Sequence, residues 1–249
     1  MTRMLPRFFV PDAIAPGATP ELPDEAAHHA VRVLRLSDGA AVELFDGRGG
    51  AWRARLKIAG KKVLAVLDAF ADAECESPLA VTLVQCLPAA DKMDWVVQKG
   101  TELGLAAIQP VAARRSVIKL SGERMERRVQ HWQQVAVSAC EQCGRNRPPA
   151  VAPIVDLPQY LGRMAAQNPD HNEARWILAP GGAGSLRGLP APTGPVVLLV
   201  GPEGGFEDEE LKAARVAGFQ PLTLGPRVMR TETAGMAAVA ALMALWGDF

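Results

Sequence analysis

Two glycine-bearing turns near the end of the chain hold the residues whose types and spacing could do chemistry. An apolar run at residues 196–200 leads into GPEGGF at 201–206, and a second run at 222–224 leads into GPRVMR at 225–230. Glycine lets the backbone approach a ligand closely and adopt positive φ, while proline fixes the turn. Two such turns at strand ends predict a backbone-lined pocket beside polar side chains.

The polar residues beside the second turn are the next candidates for chemistry. Arg230, Thr231, Glu232 and Thr233 come directly before a long apolar run. Helix capping explains the threonines and Glu232, because Thr231 or Thr233 can serve as N-cap. It does not explain Arg230, because the helix dipole disfavours a cation at this end. We therefore expect Arg230 to act on an anionic partner or a reacting base.

Common phosphate-binding patterns do not account for the first turn. A P-loop needs a lysine after its last glycine and none follows here, and a Rossmann fingerprint is also missing from the sequence. Residues 207–210, EDEE, place four carboxylates in the first turn of a predicted helix, which suits the helix dipole but repels phosphate. Taken alone, GPEGG is better explained as a tight strand-to-helix turn, and its pairing with the second turn is what favours a ligand site.

Two basic segments are candidates for contact with nucleic acid. Arg145, Asn146 and Arg147 follow a glycine at the predicted end of a helix. The glycine and one arginine fit a helix C-cap, whereas two arginines around an asparagine also suit contacts to phosphates and bases. Arg32 and Arg35 lie on a short N-terminal helix, where a solvated face and contact with a phosphate backbone explain the pair equally well.

Composition narrows the class of protein. The 249 residues are 49% hydrophobic and 22% charged, which allows a sizeable core. The 27 basic and 27 acidic residues balance, so any attraction to nucleic acid must be local. Such a local excess exists at residues 111–150, with eight basic residues against three acidic ones.

Metal binding and membrane insertion are not expected. Cys140 and Cys143 have metal-like spacing, but no histidine pair supports them. The longest uncharged apolar run, residues 234–246, is too short to span a bilayer, and residues 1–7 lack the apolar stretch of a secretory signal. A cytoplasmic location is the expectation.

Two domains are predicted from the hydrophobic pattern. Residues 40–68 alternate as an antiparallel meander after a helix at 24–34, which predicts a small β-barrel at 1–72. The acidic, aperiodic segment 73–78 is the predicted linker. Residues 79–249 alternate strands and helices, which predicts an α/β domain with a mostly parallel sheet. Strands are expected at 80–86, 106–111, 176–179, 196–200 and 221–224, and helices at 91–103, 123–143, 157–167, 208–217 and 231–246.

Three segments together resemble a known family. Residues 141–147, 201–206 and 224–234 closely resemble the signature segments of the RsmE-type methyltransferases of the SPOUT superfamily, which modify N3 of a uridine in small-subunit (16S) ribosomal RNA. Residues 29–35 and 44–47 resemble the PUA-like RNA-binding barrel of that family. The similarity runs in the same order over nearly the whole chain, although GPEGG alone would suit other SPOUT proteins.

The resemblance implies a fold, a cofactor and partners. It implies a PUA-like β-barrel at 1–72 and a SPOUT domain at 79–249 whose mostly parallel sheet carries a trefoil knot, an exception to the rule against knotted chains. It also implies a homodimer, S-adenosylmethionine as cofactor, and small-subunit ribosomal RNA or the assembled small subunit as partner.

Roles for single residues follow from the same resemblance. Arg230 would stabilise the anionic oxygen or phosphate of the target, and Glu232 would be a base or would orient one. RNA contact is expected from Arg32, Arg35, Arg145, Asn146 and Arg147. The cofactor would be held by the backbone of Val200, Gly201, Gly205, Leu224, Gly225, Val228 and Met229.

Two departures from the family pattern and two alternatives accompany this assignment. Glu207 stands where relatives often carry a serine-type cap, and Met229 replaces an expected leucine of similar volume. One alternative is a SPOUT methyltransferase that acts on another RNA or on a ribose 2′-hydroxyl. The other is a non-catalytic RNA-binding factor for ribosome assembly, although the intact glycine turns argue against it.

Overall fold

Two compact units make up the described chain. The computed structural model describes residues 5–60, 62–89, 91–116, 122–167, 172–179 and 184–249. The first unit runs to Glu76 and includes Val137–Pro148, and the second comprises Ser77–Ala136 and Pro149–Phe249. The division after Glu76 falls inside the segment predicted as a linker, whereas the place of Val137–Pro148 in the first unit was not predicted.

The first unit is built on a four-stranded sheet. Its strands pair in chain order, with the first pair parallel and the other two antiparallel. Ala54 and Leu56 are buried on one face of the third strand while Arg53 and Arg55 are exposed on the other, as strand alternation requires. Closure of this sheet into a barrel stays a prediction. The elements are β1 (Arg7–Phe9), α1 (Asp24–His28) continued by a π-helical turn (His29–Val33), β2 (Ala41–Phe45), β3 (Ala51–Ala59) and β4 (Lys62–Ala71).

The end of a long helix completes this unit. Cys140, near the end of α3 (Glu123–Cys143), packs with Phe45 and Ala51 in a small buried cluster. The backbone N–H of Phe9 donates a 3.0 Å hydrogen bond to Oε1 of Glu141. The first unit is therefore assembled from segments that lie more than sixty residues apart, since its sheet ends at Ala71 and Val137 rejoins it.

The second unit is an α/β structure around a parallel sheet. The eight strands that the described residues form run in the order β10-β12-β9-β11-β5-β6-β7, with β8 paired to β6, and every pairing is parallel. The strands are β5 (Val81–Cys86), β6 (Ala107–Ala112), β7 (Ala150–Val151), β8 (Val155–Asp156), β9 (Ala174–Leu178), β10 (Gly184–Ser185), β11 (Val196–Val200) and β12 (Gln220–Thr223). The helices are α2 (Lys92–Glu102), the first part of α3, α4 (Leu157–Ala166), α5 (Asp208–Val216) and α6 (Thr231–Trp246), with a 3-10 turn at Leu186–Gly188.

Hydrophobic side chains cover both faces of this sheet. All five residues of β11 are buried, which is typical of a parallel strand between two helical layers. Leu198 belongs to one core cluster, together with Val239 of α6, and Leu199 belongs to the other, together with Ala214 of α5. Helices α5 and α6, which follow the two glycine turns, thus pack on opposite faces of the sheet.

The longest predicted elements agree with the structure. The bounds of α3, α6 and β11 are those expected, and the other predicted helices and strands of the second unit differ by one or two residues at their ends. Four short strands, β1, β7, β8 and β10, were not predicted. The α/β class and the mostly parallel sheet are confirmed.

Candidate functional site

A cavity of about 610 Å³ opens where three parallel strands of the second unit end. It is bounded by the carboxyl ends of β9, β11 and β12 and by the loops at residues 201–206 and 224–230, which we call the first and second glycine loops. This is the position at which open α/β sheets bind ligands. The lining includes all seven predicted cofactor residues, Val200, Gly201, Gly205, Leu224, Gly225, Val228 and Met229, together with Arg230.

The two loops depend on glycine for two reasons, backbone conformation and close packing. Gly225 has φ +104°, which is strained for any residue with a side chain, yet an added Cβ would meet no atom within 4 Å. At Gly201 the constraint is packing, because an added Cβ would lie 2.9 Å from the ring of Phe206. In the first loop Gly205 also has positive φ, +69°, so that loop needs glycine both for its backbone conformation and for close packing at Gly201, whereas Gly225 serves the backbone conformation of the second loop.

Buried hydrogen bonds join the first glycine loop to the start of α6. The hydroxyl of Thr231 donates to the carbonyl of Gly201, and Nε2 of Gln85 donates to that hydroxyl at 2.9 Å. The predicted capping role of the threonines is wrong: Arg230 is the N-cap residue, and no side chain caps the helix. Thr231 is instead the first residue of the helix and points its proton at the loop.

Charged side chains form a cluster at one side of the first loop. Nζ of Lys92 lies 3.0 Å from Oε1 of Glu203 and 3.4 Å from Oε2 of Glu232. The hydrogen bond from Lys92 to Glu203 raises the pKa of Lys92, and Glu232 adds to this effect. Partial burial opposes ionisation of Glu203, but the N–H of Ala89 and the ammonium of Lys92 outweigh it and lower the pKa of Glu203. The pair is therefore ionised at neutral pH.

Arg230 and Glu232 differ in their relation to the cavity. Arg230 is exposed and lines the cavity, and within the described ranges its guanidinium has no ion-pair partner. Arg227, three residues earlier, is also exposed and lines the cavity. Glu232 is not among the lining residues, and its carboxylate faces Lys92. Of the two predicted catalytic residues, only Arg230 presents its side chain where a ligand would bind.

The helix after the first loop begins with a capping box. The side chain of Glu207 accepts from the backbone of Glu210, and Oε2 of Glu210 accepts from the N–H of Glu207 at 2.8 Å. Glu207 therefore performs the capping that a serine would perform. Arg114 pairs with Glu207 at 3.0 Å, and Arg115 donates to the carbonyl of Gly204 at 3.0 Å, so two arginines of the basic segment 111–150 contact this loop and the start of its helix. Residues 117–121 of that segment lie outside the described residues.

The predicted RNA-contacting residues fall into two groups, both in the first unit. Arg32 and Arg35 are exposed, and Arg35 has φ +53°. Arg145 and Asn146 are buried, and Arg147 is exposed.

The buried pair is bound to the predicted linker. Arg145 forms a 2.6 Å salt bridge with Glu76, while Nδ2 of Asn146 donates to the carbonyl of Ala73. Oδ1 of Asn146 accepts from Arg7 at 2.7 Å. This network contradicts the picture of these two side chains as an accessible tip, because both would have to leave buried partners to reach RNA. Contact through Arg32, Arg35 and Arg147 stays a prediction.

Sequence patterns did not identify Gln85, Lys92 or Glu203 as site residues. Glu203 was within the quoted turn, but its carboxylate was given no role. Gln85 is the fifth of the six residues of the mostly apolar strand β5, and a polar side chain near the carboxyl end of a buried strand is the one signal that could have singled it out. Lys92 offered no local signal, since a lysine in the first turn of a helix usually lies in solvent.

Metal-binding clusters and membrane-spanning helices are not found in the described part of the chain. Among the residues that the structure describes, no cluster of three or more His, Cys, Asp or Glu side chains could hold a metal ion. None of the helices within the described ranges is long and apolar enough to cross a membrane.

Comparison with known proteins places these features in a family. The RNA methyltransferase domain model matches residues 75–243, and the RNA methyltransferase PUA domain model matches residues 22–68. A ribosomal RNA small subunit methyltransferase E from Synechocystis is 34% identical, over 92% of this chain and 74% of its own length.

Solved structures agree over the full length. The crystal structure of ribosomal RNA small subunit methyltransferase E from Neisseria gonorrhoeae, bound to S-adenosyl methionine, is 40% identical with a TM-score of 0.89, covering 98% of this chain and 99% of that one. A putative methyltransferase from Legionella pneumophila, in complex with the cofactor SAM, is 36% identical with a TM-score of 0.92, and the match covers 100% of both chains. With its glycine loops at the strand ends and both domain models matched in order, the chain belongs to the RNA methyltransferase family that includes ribosomal RNA small subunit methyltransferase E.

Proposed function

We propose that the chain transfers a methyl group from S-adenosylmethionine to N3 of a uridine in small-subunit ribosomal RNA. The observation that carries the proposal is the single cavity shared by both glycine loops, with Arg230 on its wall. Relatives that match this chain over 74% or more of their own length are named for small-subunit ribosomal RNA methylation or contain S-adenosylmethionine. Closure of the first unit into a barrel and a trefoil knot in the second belong to the same proposal and rest on family membership.

The cavity suits this cofactor. Backbone lines much of it, because Gly201, Gly205 and Gly225 have no side chains, while Leu178 and Leu222 supply an apolar floor. The ionised carboxylate of Glu203 also lines it and would favour a cationic ligand. When bound, S-adenosylmethionine supplies an electrophilic methyl group on a positively charged sulfur. The protein must supply orientation and stabilise charge on the second substrate.

The target base imposes its own requirements. N3 lies on the Watson–Crick edge, so the uridine has to be unpaired or flipped before it can react. As the N3–carbon bond forms, the carbon–sulfur bond breaks and the N3 proton leaves, so the products are N3-methyluridine, S-adenosylhomocysteine and a proton. Arg230 is the group we assign to the negative charge that develops on the uracil ring. Glu232, held by Lys92, is the candidate base or base-orienting group.

The rest of the proposal concerns partners. Exposed arginines of the first unit, Arg32, Arg35 and Arg147, would contact the phosphate backbone of ribosomal RNA or of the assembled small subunit.

A homodimer is supported by exposed apolar side chains on two helices that pack together, Trp95 on α2 and Leu245 on α6. Sedimentation of the purified chain would measure its oligomeric state, and a monomer at micromolar concentration would contradict this part.

The experiment that tests the function combines cofactor binding with product analysis. The purified chain is incubated with S-adenosylmethionine and either small-subunit RNA or assembled small subunits that lack the modification. We expect one N3-methyluridine per RNA, located by mass mapping and nucleoside analysis. A methyl group on a ribose 2′-oxygen, or methylation of transfer RNA only, would replace this assignment by another methyltransferase activity. No heat on titration with the cofactor would instead support a non-catalytic RNA-binding factor.

A further inference from the structure

We infer that Gln85 is a positioning residue for the cofactor site, which it shapes through Thr231 without lining the cavity itself. The inference rests on the proposed function, since it concerns binding of S-adenosylmethionine. Gln85 is the fifth of six residues in β5 and pairs in register with Val200 of β11, the residue before the first glycine loop. It therefore lies next to the strand residue that leads into that loop, on an inner strand of the sheet with β11 on one side and β6 on the other.

Gln85 is fully buried, and this placement needs an explanation. A buried amide loses its hydrogen bonds to water and is destabilising unless the protein replaces them. Nε2 replaces two of them: it donates to Oγ1 of Thr231 at 2.9 Å and to the carbonyl of Cys86 at 2.9 Å. Oε1 has no hydrogen-bond partner among the described residues. In this orientation the N–H groups of Gln85 are hydrogen-bonded and its Oε1 is not.

Because Nε2 of Gln85 donates to the hydroxyl of Thr231, it also fixes the direction of the hydrogen bond that this hydroxyl makes next. An amide nitrogen can only donate, so the hydroxyl of Thr231 accepts from Gln85 and keeps its single proton for another partner. That partner is the carbonyl of Gly201. The result is a directed chain of hydrogen bonds from β5 through the first residue of α6 to the first glycine loop.

The opposite orientation of the amide would break this chain. Oε1 would then face the carbonyl of Cys86, and it would compete with the carbonyl of Gly201 for the one proton of Thr231. The first contact would place acceptor against acceptor, and the second would leave either Oε1 or the carbonyl of Gly201 without a donor. The observed orientation is the one in which the two carbonyls and the hydroxyl all have complementary partners. Gly235, one turn further along α6, leaves room for Oε1, because an added Cβ there would lie 3.3 Å from it.

The chain of hydrogen bonds joins the two walls of the cavity. Gly201 belongs to the first glycine loop, while Thr231 directly follows Arg230 at the end of the second loop, and all three line the cavity. Holding the Gly201 carbonyl on the Thr231 hydroxyl therefore fixes the separation of the two loops. Since both loops would contact the cofactor, loss of this link should weaken cofactor binding even where the protein stays folded.

Two substitutions and two matched controls test the inference. Thr231→Val removes the hydroxyl with little change in shape, and Gln85→Leu removes the amide. Thr101→Val removes a buried hydroxyl that donates to the carbonyl of Val97, and Gln109→Leu removes an amide that donates to the carbonyl of the next residue, Pro110. Neither control residue lines the cavity.

Cofactor affinity is the deciding measurement. Calorimetry with S-adenosylmethionine, well below the melting temperature of each variant, should give a Kd about tenfold higher for Thr231→Val and for Gln85→Leu, which equals about 1.4 kcal/mol. The controls should lower the melting temperature similarly and leave the Kd unchanged. The double variant should bind no more than about twofold worse than Thr231→Val alone, because both changes break one link. Thr231→Ser should restore binding to within about twofold of the original chain.

Three results would overturn the inference. The first is an unchanged Kd in folded Thr231→Val with only a lower melting temperature, since Gln85 and Thr231 would then be structural. The second is an additive loss in the double variant, and the third is an equal loss in the two controls. If Gln85→Leu does not fold, Thr231→Val and Thr231→Ser still decide. Failure of the unchanged chain to bind S-adenosylmethionine would refute the proposed function itself, and is distinct from each of these outcomes.

Discussion

Arg230 offers the sharpest test of the proposed chemistry, because its surroundings separate catalysis from stability. Its side chain is exposed, and within the described residues it forms no ion pair. Removing it as Arg230→Ala should therefore change the free energy of unfolding by no more than about 0.5 kcal/mol, or about 1–2 °C in melting temperature for a chain of this size. A structural role would require a larger loss.

The expected loss of activity is far larger than this loss of stability. A donor directed at charge that develops in the transition state is worth about 2.7–4 kcal/mol, so the rate of methyl transfer should fall by about 100-fold to 1,000-fold. Cofactor affinity should change little, because the predicted cofactor contacts are backbone groups. Arg230→Lys should recover only part of the rate, since an ammonium keeps the charge but not the planar fork of donors.

Single-turnover kinetics at saturating RNA would separate chemistry from binding. The matched control is Arg227→Ala, an exposed arginine that lines the same cavity and should have a much smaller effect on the rate. If Arg230→Ala weakens RNA binding while the single-turnover rate is preserved, the arginine grips a phosphate instead. An unchanged rate and unchanged RNA affinity in the folded variant would remove Arg230 from the site.

Three further predictions concern the loops, a buried acid and the RNA surface. Gly225→Ala and Gly218→Ala both place alanine at positive φ without a clash, so each should lower the free energy of unfolding by about 1–2 kcal/mol. Only Gly225→Ala should weaken cofactor binding measured by calorimetry. Equal cofactor affinities of the two variants would contradict the assignment of the second glycine loop to the cofactor. Burial raises the pKa of Glu141, so the stability from this group is greatest at low pH and is lost as the pH rises through its folded pKa. In urea melts Glu141→Gln should therefore gain stability relative to the original chain as the pH rises above the ordinary carboxyl range of about 4 to 5, and a difference that does not change with pH would refute the sign. Arg32→Ala should reduce the slope of the logarithm of the RNA-binding constant against the logarithm of salt concentration by about 0.7–0.9, because one phosphate contact is lost. Arg145→Ala should mainly lower the melting temperature. The reverse pattern would mean that Arg145 contacts RNA and Arg32 does not.

Local chemistry explains why the loops were predictable. Glycine and proline set backbone dihedrals by themselves, so residues 201–206 and 225–230 could be identified as turns without knowledge of their surroundings. The continuous apolar run of β11 and the long pattern of α3 likewise carry their own signal. Strands of two residues such as β7 and β10 cannot show an alternation, so no pattern could indicate them.

Long-range pairing explains what was missed. The sheet order places β5 beside β11, and this brings Gln85 to a loop more than one hundred residues later in the chain. Lys92 reaches Glu203 across a similar separation. Arg145 was interpreted as a surface charge because its partner, Glu76, lay in a segment that the sequence presented as a linker. Charge alone does not tell whether an arginine is paired or exposed, since that depends on which distant segment packs against it.

The two glycine loops place opposite charges beside the cavity. The pH range over which these groups stay charged sets what pH dependence the reaction should show. Glu203 lies on the first loop, and Arg227 and Arg230 lie on the second. The pKa of Glu203 is lowered, with burial opposing and Ala89 and Lys92 favouring ionisation, and the pKa of Lys92 is raised by its bond to Glu203. Glu203 and Lys92 therefore keep their charges from about pH 5 to about pH 9. Any change in rate within that range must come from the substrate or from another group.

If Arg230 stabilises the uridine anion, it does so by favouring loss of the N3 proton. Without the guanidinium the anion is scarcer at neutral pH, but a higher pH supplies it again, so the rate deficit of Arg230→Ala should shrink as the pH rises from 7 to 9. An arginine that only binds a phosphate would lower RNA affinity instead, and at saturating RNA it would give no rate deficit at any pH in this range, because guanidinium and phosphate both keep their charge. Single-turnover rates of Arg230→Ala and the original chain, measured side by side at saturating RNA, distinguish the two roles. The absence of a deficit would assign Arg230 to binding, and a deficit that stays constant or grows with pH would refute its role in deprotonation.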